Sequence, residues 1–170
     1  MKDYDKAAYK FYTSQNLKTL PLNSWDMYAQ HFDKTCQNQN DLASLKVLAK
    51  KNDWVFFPKF DKPFIQRNEV IVVTDPSLTI VHATHNIFEM NGYRPEEVIG
   101  KKPKVFQGKE TDKTTLADIS KAIDEVASFD VKILNYRKDG TTYICWIKGS
   151  PIFDCNGKVV NFIAYEKEVA

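Results

Sequence analysis

The sequence lacks the features that mark membrane, secreted and metal-binding proteins. No apolar run approaches the roughly 20 residues that a membrane-spanning helix needs. The N-terminus, MKDYDKAAYKFYTSQN, has neither the apolar segment nor the small-residue cleavage site of a secretory signal. The three cysteines, Cys36, Cys145 and Cys155, are odd in number and show no CxxC spacing, so they predict neither a disulfide framework nor a zinc site. We therefore expect a cytoplasmic protein with reduced thiols that does not act at a membrane.

Charge of one sign and glycine are also scarce. The 24 basic residues are nearly balanced by 22 acidic ones, and no basic stripe with interleaved aromatic residues appears, so nucleic-acid binding is not expected. Only six glycines are present, most of them at predicted turns, which leaves little for a phosphate-binding loop. The sequence also contains no Ser/His/Asp set and no paired carboxylates in an apolar context. These absences predict a protein that is not an enzyme.

The chain does contain enough apolar residues for one core, 43% of the 170, and its pattern changes part of the way along. We predict a helical N-terminal cap in residues 1–67 and a mixed α/β domain in residues 68–170. Within the cap, Ser24 is expected to begin one amphipathic helix, and Asn40 or Asp41 a second one. The apolar faces of these helices predict packing against the second domain or against a dimer partner.

From residue 69 onward, strand and helix signals follow one another in a fixed order. The short β-branched segments EVIVVTD and TIVHA flank the turn signal Asp75-Pro76-Ser77 and predict a hairpin. Short helical pieces come next, and then three longer strands joined at Asp139-Gly140 and at Asn156-Gly157, which are strong hairpin signals. The order predicts an α+β fold, a five-stranded antiparallel sheet with short helices on one face.

The helices between the strands are expected to turn apolar side chains toward the sheet. In the first of them Ile87, Met90 and Phe88 are predicted to face inward, and Gly92 is predicted to end the helix. Asp112 is expected to cap a longer helix. Its apolar face consists of five residues: Leu116, Ile119, Ala122, Ile123 and Val126. A sheet covered in this way leaves room for a small ligand or for a core filled by the protein itself.

One stretch, VTDPSLTIVHATHNIFEMNGYRPEEVIGKKPKVFQG, carries the pattern of a family. A turn after the first strand is followed by Asn-x-x-Phe-x-x-x-Asn-Gly-Tyr and then by Glu-Glu-Val-Ile-Gly. Residues 69–168 resemble a PAS domain, and through GKKPKVFQGKETD and ILNYRKDG they are similar to its light-oxygen-voltage (LOV) branch. The resemblance implies the five-stranded PAS fold and a sensory module in signal transduction.

The LOV resemblance implies a flavin, FMN or FAD, yet the residue that would react with it is missing. In that branch the reactive cysteine follows a Gly-x-Asn triplet, and the corresponding positions here run from Gly100 to Pro103. Proline carries no nucleophile, so the resemblance and the chemistry together predict that no covalent flavin adduct forms. Gln107 and Asn135 match positions that contact the flavin ring, whereas Lys102 replaces an asparagine.

Other positions depart from the LOV pattern as well. Cys145 stands where the resemblance places a second ring-binding asparagine, and Glu166 where it places the signalling glutamine. Lys104 keeps a charge where the family has an arginine, but Ala117 and Ser120 replace a second arginine, so a phosphate would be held less well. Haem is not expected, because the axial histidine of haem-binding PAS domains comes from the long helix, which contains none. His82 and His85 are therefore interpreted as surface or hydrogen-bonding residues.

The sequence thus predicts a sensory PAS module that binds a small ligand or mediates protein-protein interaction, with an unknown cofactor. The alternatives are a non-covalent flavin-binding photoreceptor or redox sensor and a purely structural dimerisation module. Nine residues form the predicted pocket: Phe88, Met90, Pro103, Phe106, Gln107, Ile123, Asn135, Cys145 and Glu166. Lys104 is the predicted phosphate contact if a flavin binds. We expect a homodimer formed through the sheet face and the N-terminal helices, a signalling-protein partner, and output through association.

Overall fold

The described elements follow the predicted order. The computed structural model describes residues 22–56 and 69–169, and the chain divides into two compact units, Met1–Gln37 and Asn38–Ala170. The helices are α1 (Leu22–Lys51), α2 (Ile87–Asn91), α3 (Pro95–Val98), a 3-10 helix (Pro103–Phe106) and α4 (Lys113–Asp124). The strands are β1 (Val70–Thr74), β2 (Ile80–Ala83), β3 (Phe129–Tyr136), β4 (Thr142–Phe153) and β5 (Val159–Val169). Within the described ranges no helix is both long enough and apolar enough to span a membrane.

The five strands form one antiparallel sheet in the order β2-β1-β5-β4-β3, which confirms the predicted α+β fold. The last strand lies between β1 and β4 and so joins the N-terminal hairpin to the C-terminal one. Side chains in the turns stabilise the hairpins. In the turn between β1 and β2, the Asp75 carboxylate accepts a hydrogen bond from the Thr79 backbone N–H at 2.8 Å. Gly140 and Gly157 adopt the left-handed conformation, with φ of 88° and 76°, that glycine accepts without strain.

The two faces of the sheet carry separate apolar clusters, because successive side chains of a strand point to opposite faces. The inner cluster lies under α2, α3 and the 3-10 helix. Its buried members are Val70, Val72, Ile80, Ala83, Ile87, Met90, Val98, Phe106, Ile133, Tyr143 and Cys145. The outer cluster lies on the opposite face and comprises Leu45, Ile71, Val73, Ile152 and Ile163. Leu45 comes from α1, so the part of α1 that begins at Asn38 covers this face.

The prediction of two helices in the N-terminal region is wrong, because α1 runs without a break from Leu22 to Lys51. The segment contains no glycine or proline, so nothing in its backbone forces an interruption. Asp41 does not cap a second helix. Its carboxylate accepts a hydrogen bond from the His85 backbone N–H at 3.0 Å and lies 2.6 Å from the His85 ring Nδ1. The expected division of the chain at residues 67 and 68 stays a prediction.

Helix α2 turns only part of its predicted apolar set toward the sheet. Ile87 and Met90 are buried as expected, since residues three apart share one side of a helix. Phe88 lies about 100° further round the helix and is 52% exposed, so the prediction that it faces inward is wrong. The guanidinium carbon of Arg94 lies 5.9 Å from the centre of the Phe88 ring. Gly92 ends the helix in the left-handed conformation, as predicted.

Helix α4 begins where the sequence predicts and ends two residues before the last residue of its predicted apolar face. The Asp112 carboxylate accepts hydrogen bonds from the backbone N–H groups of Thr114 and Thr115. The helix ends at Asp124, and Val126 follows it in a left-handed conformation with φ of 53°. Left-handed backbone is strained for a β-branched residue. Val126 therefore belongs to the connection to β3 and not to the predicted helical face.

Candidate ligand-binding cavity

A cavity of about 330 Å³ lies between the inner face of the sheet, helix α4 and the segment around the 3-10 helix. Its size falls in the range of pockets that hold small molecules. Most of its lining is apolar, and four strands (β1, β3, β4 and β5), α4 and the 3-10 helix each contribute residues. The apolar lining consists of Val72, Leu78, Pro103, Phe106, Leu116, Ile119, Ile123, Phe129, Ile133, Ile147, Phe162, Ile163 and Ala164.

Several of the predicted pocket residues lie around this cavity. They are Pro103, Phe106, Gln107, Ile123, Asn135 and Glu166, and Lys104 lies with them. The 3-10 helix places Pro103 and Phe106, α4 places Ile123, and the sheet places Asn135 and Glu166. Whether any of them contacts a ligand stays a prediction.

Phe88, Met90 and Cys145 are not among the residues around the cavity. Phe88 is exposed, as the geometry of α2 requires, whereas Met90 and Cys145 are buried in the inner cluster. Apolar neighbours pack around Met90 and Cys145 in that cluster, and a ligand contact at these residues stays a prediction. Burial raises the pKa of the Cys145 thiol far above its ordinary value, and the nearby Glu166 carboxyl adds to this effect. The thiol is therefore neutral and unreactive near pH 7.

Sequence reasoning missed several lining residues that the register of the sheet brings together. Thr74 lies opposite Phe162, and Gly149 lies opposite Ala164. Phe162 and Ala164 are four and two residues before Glu166 on β5, so they point to the same face. Counting in steps of two back from Glu166 would have found both. The positions of Thr74 on β1 and Gly149 on β4 beside the cavity depend on how the strands pair, and a single sequence does not give this register.

Gly149 has a clear steric role beside the cavity. It pairs with Phe129 across β3 and β4, and the Phe129 ring lies directly over its Cα. A Cβ at position 149 would fall well inside contact distance of that ring. Only glycine therefore allows the Phe129 ring to approach the β4 backbone this closely and form this part of the wall.

Polar groups with unused hydrogen-bonding capacity face the apolar interior. Asn135 is 3% exposed, and Thr74 and Glu166 are 7% and 5% exposed. Within the described part of the chain, Thr74 Oγ1 and Glu166 Oε2 have no hydrogen-bond partner. Burial raises the pKa of the Glu166 carboxyl from 4.5 to about 7. An unsatisfied buried polar atom is costly, so both atoms are suited to a ligand or a bound water.

The segment around the 3-10 helix brings positive charge to the edge of the cavity. Lys102 and Lys104 border the cavity and are exposed to solvent, and Gln107 lies beside them, half-buried. Ser120 of α4 is the exposed polar residue on the opposite wall. This arrangement favours an anionic group on the part of a ligand nearest to solvent.

His82 and His85 are not among the residues that line the cavity. His85 is held by Asp41, in line with the prediction of a hydrogen-bonding residue. His82 is buried, so the interpretation as a surface residue is wrong for it. Burial lowers the pKa of its ring, and Nε2 has no partner among the described residues. Within the same residues no group of three or more His, Cys, Asp or Glu side chains is arranged to hold a metal ion.

Comparison with curated proteins finds relatives whose names refer to light sensing. The chain is 39% identical to Phototropin-2 of Oryza sativa subsp. japonica over 105 residues, which are 60% of this chain and 12% of that protein. It is 33% identical to the Blue-light photoreceptor of Listeria innocua serovar 6a over 119 residues, 66% of this chain and 47% of that protein. The chain therefore spans less than half the length of these relatives.

Solved structures and a family model agree with these relatives. The light-state structure of the blue-light photoreceptor Aureochrome1 LOV superposes with a TM-score of 0.59 at 30% identity, covering 66% of this chain and 90% of that one. A structure from work on a flavin analogue and the LOV domain mechanism gives a TM-score of 0.60 at 30% identity, with coverage of 64% and 83%. The family model described as PAS domain matches residues 68–169. The chain therefore belongs to the PAS domain family and is a sensory, signal-transducing domain similar to the LOV branch.

Proposed function

We propose that this PAS domain senses a small molecule that it binds without a covalent bond in the cavity beneath α4. The cavity itself carries the proposal, because about 330 Å³ of mostly apolar space with a few buried polar atoms is typical of a small-molecule site. A domain with a purely structural role would have an interior filled by its own side chains. The domain performs no reaction of its own and acts by changing its association with other proteins.

The residues around the cavity do not fit a flavin that forms a covalent adduct. Pro103 occupies the position that resemblance assigns to the reactive cysteine, and no cysteine lines the cavity. Cys145 is buried in the inner cluster, and its pKa is raised, so it does not supply a thiolate. Covalent flavin photochemistry is therefore not part of the proposal.

A flavin held without an adduct is the second candidate, because Gln107 and Asn135 both border the cavity. Lys104 is the residue that would hold its phosphate. The carboxyl of Glu166 weakens this candidate, since it stands where resemblance places a glutamine and lacks an amide N–H donor. Such a flavin would supply light absorption and electron transfer; the protein would orient its ring and exclude water.

Strand β5 is the element that would carry the signal from the cavity to the surface. Its inner face carries Phe162, Ala164 and Glu166 at the cavity. On its outer face the Asn161 side-chain oxygen accepts a hydrogen bond from the Trp54 ring N–H at 2.8 Å. Occupancy of the cavity would shift β5 and alter the packing of the chain that follows α1. Unchanged hydrogen exchange in residues 38–56 on ligand binding would contradict this route.

We further propose that two copies associate through the outer face of the sheet. Ile144 of β4 leaves 38% of its surface exposed, which supports an apolar contact there. Ile144→Glu should shift the protein toward monomer in sedimentation equilibrium. Asp118→Lys, on an exposed position of α4, should leave the association unchanged.

The first test is an absorption spectrum of the purified protein, followed by mass spectrometry of the molecules that denaturation releases. A colourless protein that releases a defined small molecule is the expected result. A visible flavin spectrum would favour the second candidate. A colourless protein that releases nothing, and whose melting temperature no metabolite mixture raises, would contradict a ligand-sensing role.

A further inference from the structure

Glu166 is a buried ionisable group in the described interior with an unsatisfied side-chain oxygen. It lies near the end of β5, and its side chain faces the cavity at 5% exposure. Its neighbours on the adjacent strands are Val70 of β1 and Ile147 of β4, which are both apolar. Its Oε2 has no hydrogen-bond partner within the described residues. The strands that flank Glu166 therefore provide no counter-charge for it.

The other ionisable groups that face this region do not neutralise Glu166. Burial raises the pKa of Cys145 and Tyr143 of β4, and the charge of Glu166 raises both further, so both are neutral at physiological pH. Lys102 and Lys104 border the same cavity from the segment of the 3-10 helix, but they are exposed to solvent. Burial alone accounts for the raised pKa of Glu166. A cation that enters the cavity would thus meet a carboxyl group without a competing partner.

We propose that Glu166 makes the cavity selective for ligands with a basic nitrogen on an apolar body, such as aryl or alkyl amines. This inference rests on the proposed ligand-binding function of the cavity. A protonated amine donates hydrogen bonds to the carboxylate and supplies the missing positive charge in a region of low dielectric constant. The apolar walls formed by Ile147, Ile133 and Phe162 bury the hydrocarbon part. A neutral ligand of the same shape gains the burial of its hydrocarbon part but not the charge interaction with Glu166.

The proposal implies that amine binding depends on pH. An amine binds the ionised form of Glu166, so a proton must leave the carboxyl whenever binding occurs below its pKa of about 7. Simple amines stay protonated throughout this range. Their affinity should therefore rise about tenfold between pH of about 6 and about 8 and level off above it. A neutral ligand should show no such rise.

The test uses the full chain and two probes of equal size, 1-naphthylmethylamine and 1-naphthylmethanol, titrated by calorimetry at both pH values. The amine is expected to bind at least about tenfold more tightly than the alcohol at the higher pH. Glu166→Gln should remove both this preference and its pH dependence. Glu168→Gln is the matched control, because Glu168 lies two residues along the same strand but is 48% exposed and paired with Arg137; it should keep the preference.

The outcomes separate the inference from the function on which it rests. Equal affinity for amine and alcohol in the wild-type protein, or a preference that survives Glu166→Gln, would overturn the amine selectivity but leave the ligand cavity intact. Binding of neither probe at either pH would contradict the proposed use of the cavity and the inference together. The pH dependence of the wild-type protein tests the proposal even if Glu166→Gln fails to fold.

Discussion

At the scale of the residue, Glu166 links the cavity to the stability of the empty fold. Burial raises its pKa to about 7 from an ordinary value of 4.5, so between these values the folded protein binds a proton that the unfolded chain releases. The free energy of unfolding should therefore fall as pH rises from about 4.5 to about 7. The full loss is roughly 3 kcal/mol, because each pKa unit corresponds to about 1.4 kcal/mol.

Glu166→Gln should remove this pH dependence and stabilise the protein above pH of about 7 relative to the wild type. Urea denaturation at a series of pH values measures the effect. Glu96→Gln, at an exposed position of α3, is the control and should follow the wild-type profile. Parallel profiles for wild type and Glu166→Gln would mean that the carboxyl finds a partner inside the folded protein.

Gly149 gives a second prediction at this scale. Gly149→Ala should lower the free energy of unfolding by about 1–3 kcal/mol, because the new Cβ would overlap the Phe129 ring. The same substitution should cost much less in a Phe129→Ala background, where the ring is gone. A double-mutant cycle by chemical denaturation measures the coupling. Equal costs in the two backgrounds would contradict the steric role of Gly149.

At the scale of the element, local chemistry explains which parts of the fold could be predicted. The hairpin turns and the start of α4 depend on side chains within a few residues, such as Asp75 and Asp112. The continuity of α1 could not be predicted in this way. Asp41 has the chemistry of a helix cap, but its carboxylate binds His85, which is 44 residues away in sequence. Tertiary contacts decided between two locally plausible structures.

Helix α1 should contribute to stability mainly through Leu45, which is fully buried in the outer cluster. Leu45→Ala should cost about 2–5 kcal/mol of unfolding free energy, because it leaves a cavity between α1 and the sheet. Val47 lies two residues further along the same helix and is 69% exposed, so Val47→Ala should change stability by less than about 0.5 kcal/mol. Denaturation curves test both variants, and similar small effects would show that α1 does not cover the sheet in solution.

At the scale of the whole molecule, the position of the domain boundary becomes testable. The sequence predicts a division between residues 67 and 68, whereas the second compact unit begins at Asn38. A chain that begins at Asn38 should keep its thermal stability. A chain that begins at Glu69 should unfold at a lower temperature or associate, because Ile71, Val73 and Ile163 lose the cover of Leu45. Equal melting temperatures for the two chains would support the boundary that the sequence predicts.

The candidate site could be predicted only in part, because strand pairing across the whole molecule assembles much of its lining. Pro103, Phe106 and Gln107 follow one another in a short segment, so a family resemblance locates them together. Lining residues such as Thr74 and Gly149 come from strands far apart in sequence, and only the register of the sheet brings them to one wall. A buried position on an inner face can also belong to the filled part of the core, as Cys145 does.

The alternation of β5 between cavity and outer cluster also limits how this domain can change in evolution. Inserting one residue before Glu166 in β5 would exchange the two faces and bring Tyr165 to the position of Glu166, and deleting one would bring Lys167 there. Such length changes should be eliminated by selection inside the strand and tolerated better at the Asp154–Gly157 turn, which lies between β4 and β5. New ligand preferences in descendants of this sequence should therefore arise by point substitution at Phe162, Ala164 and Glu166.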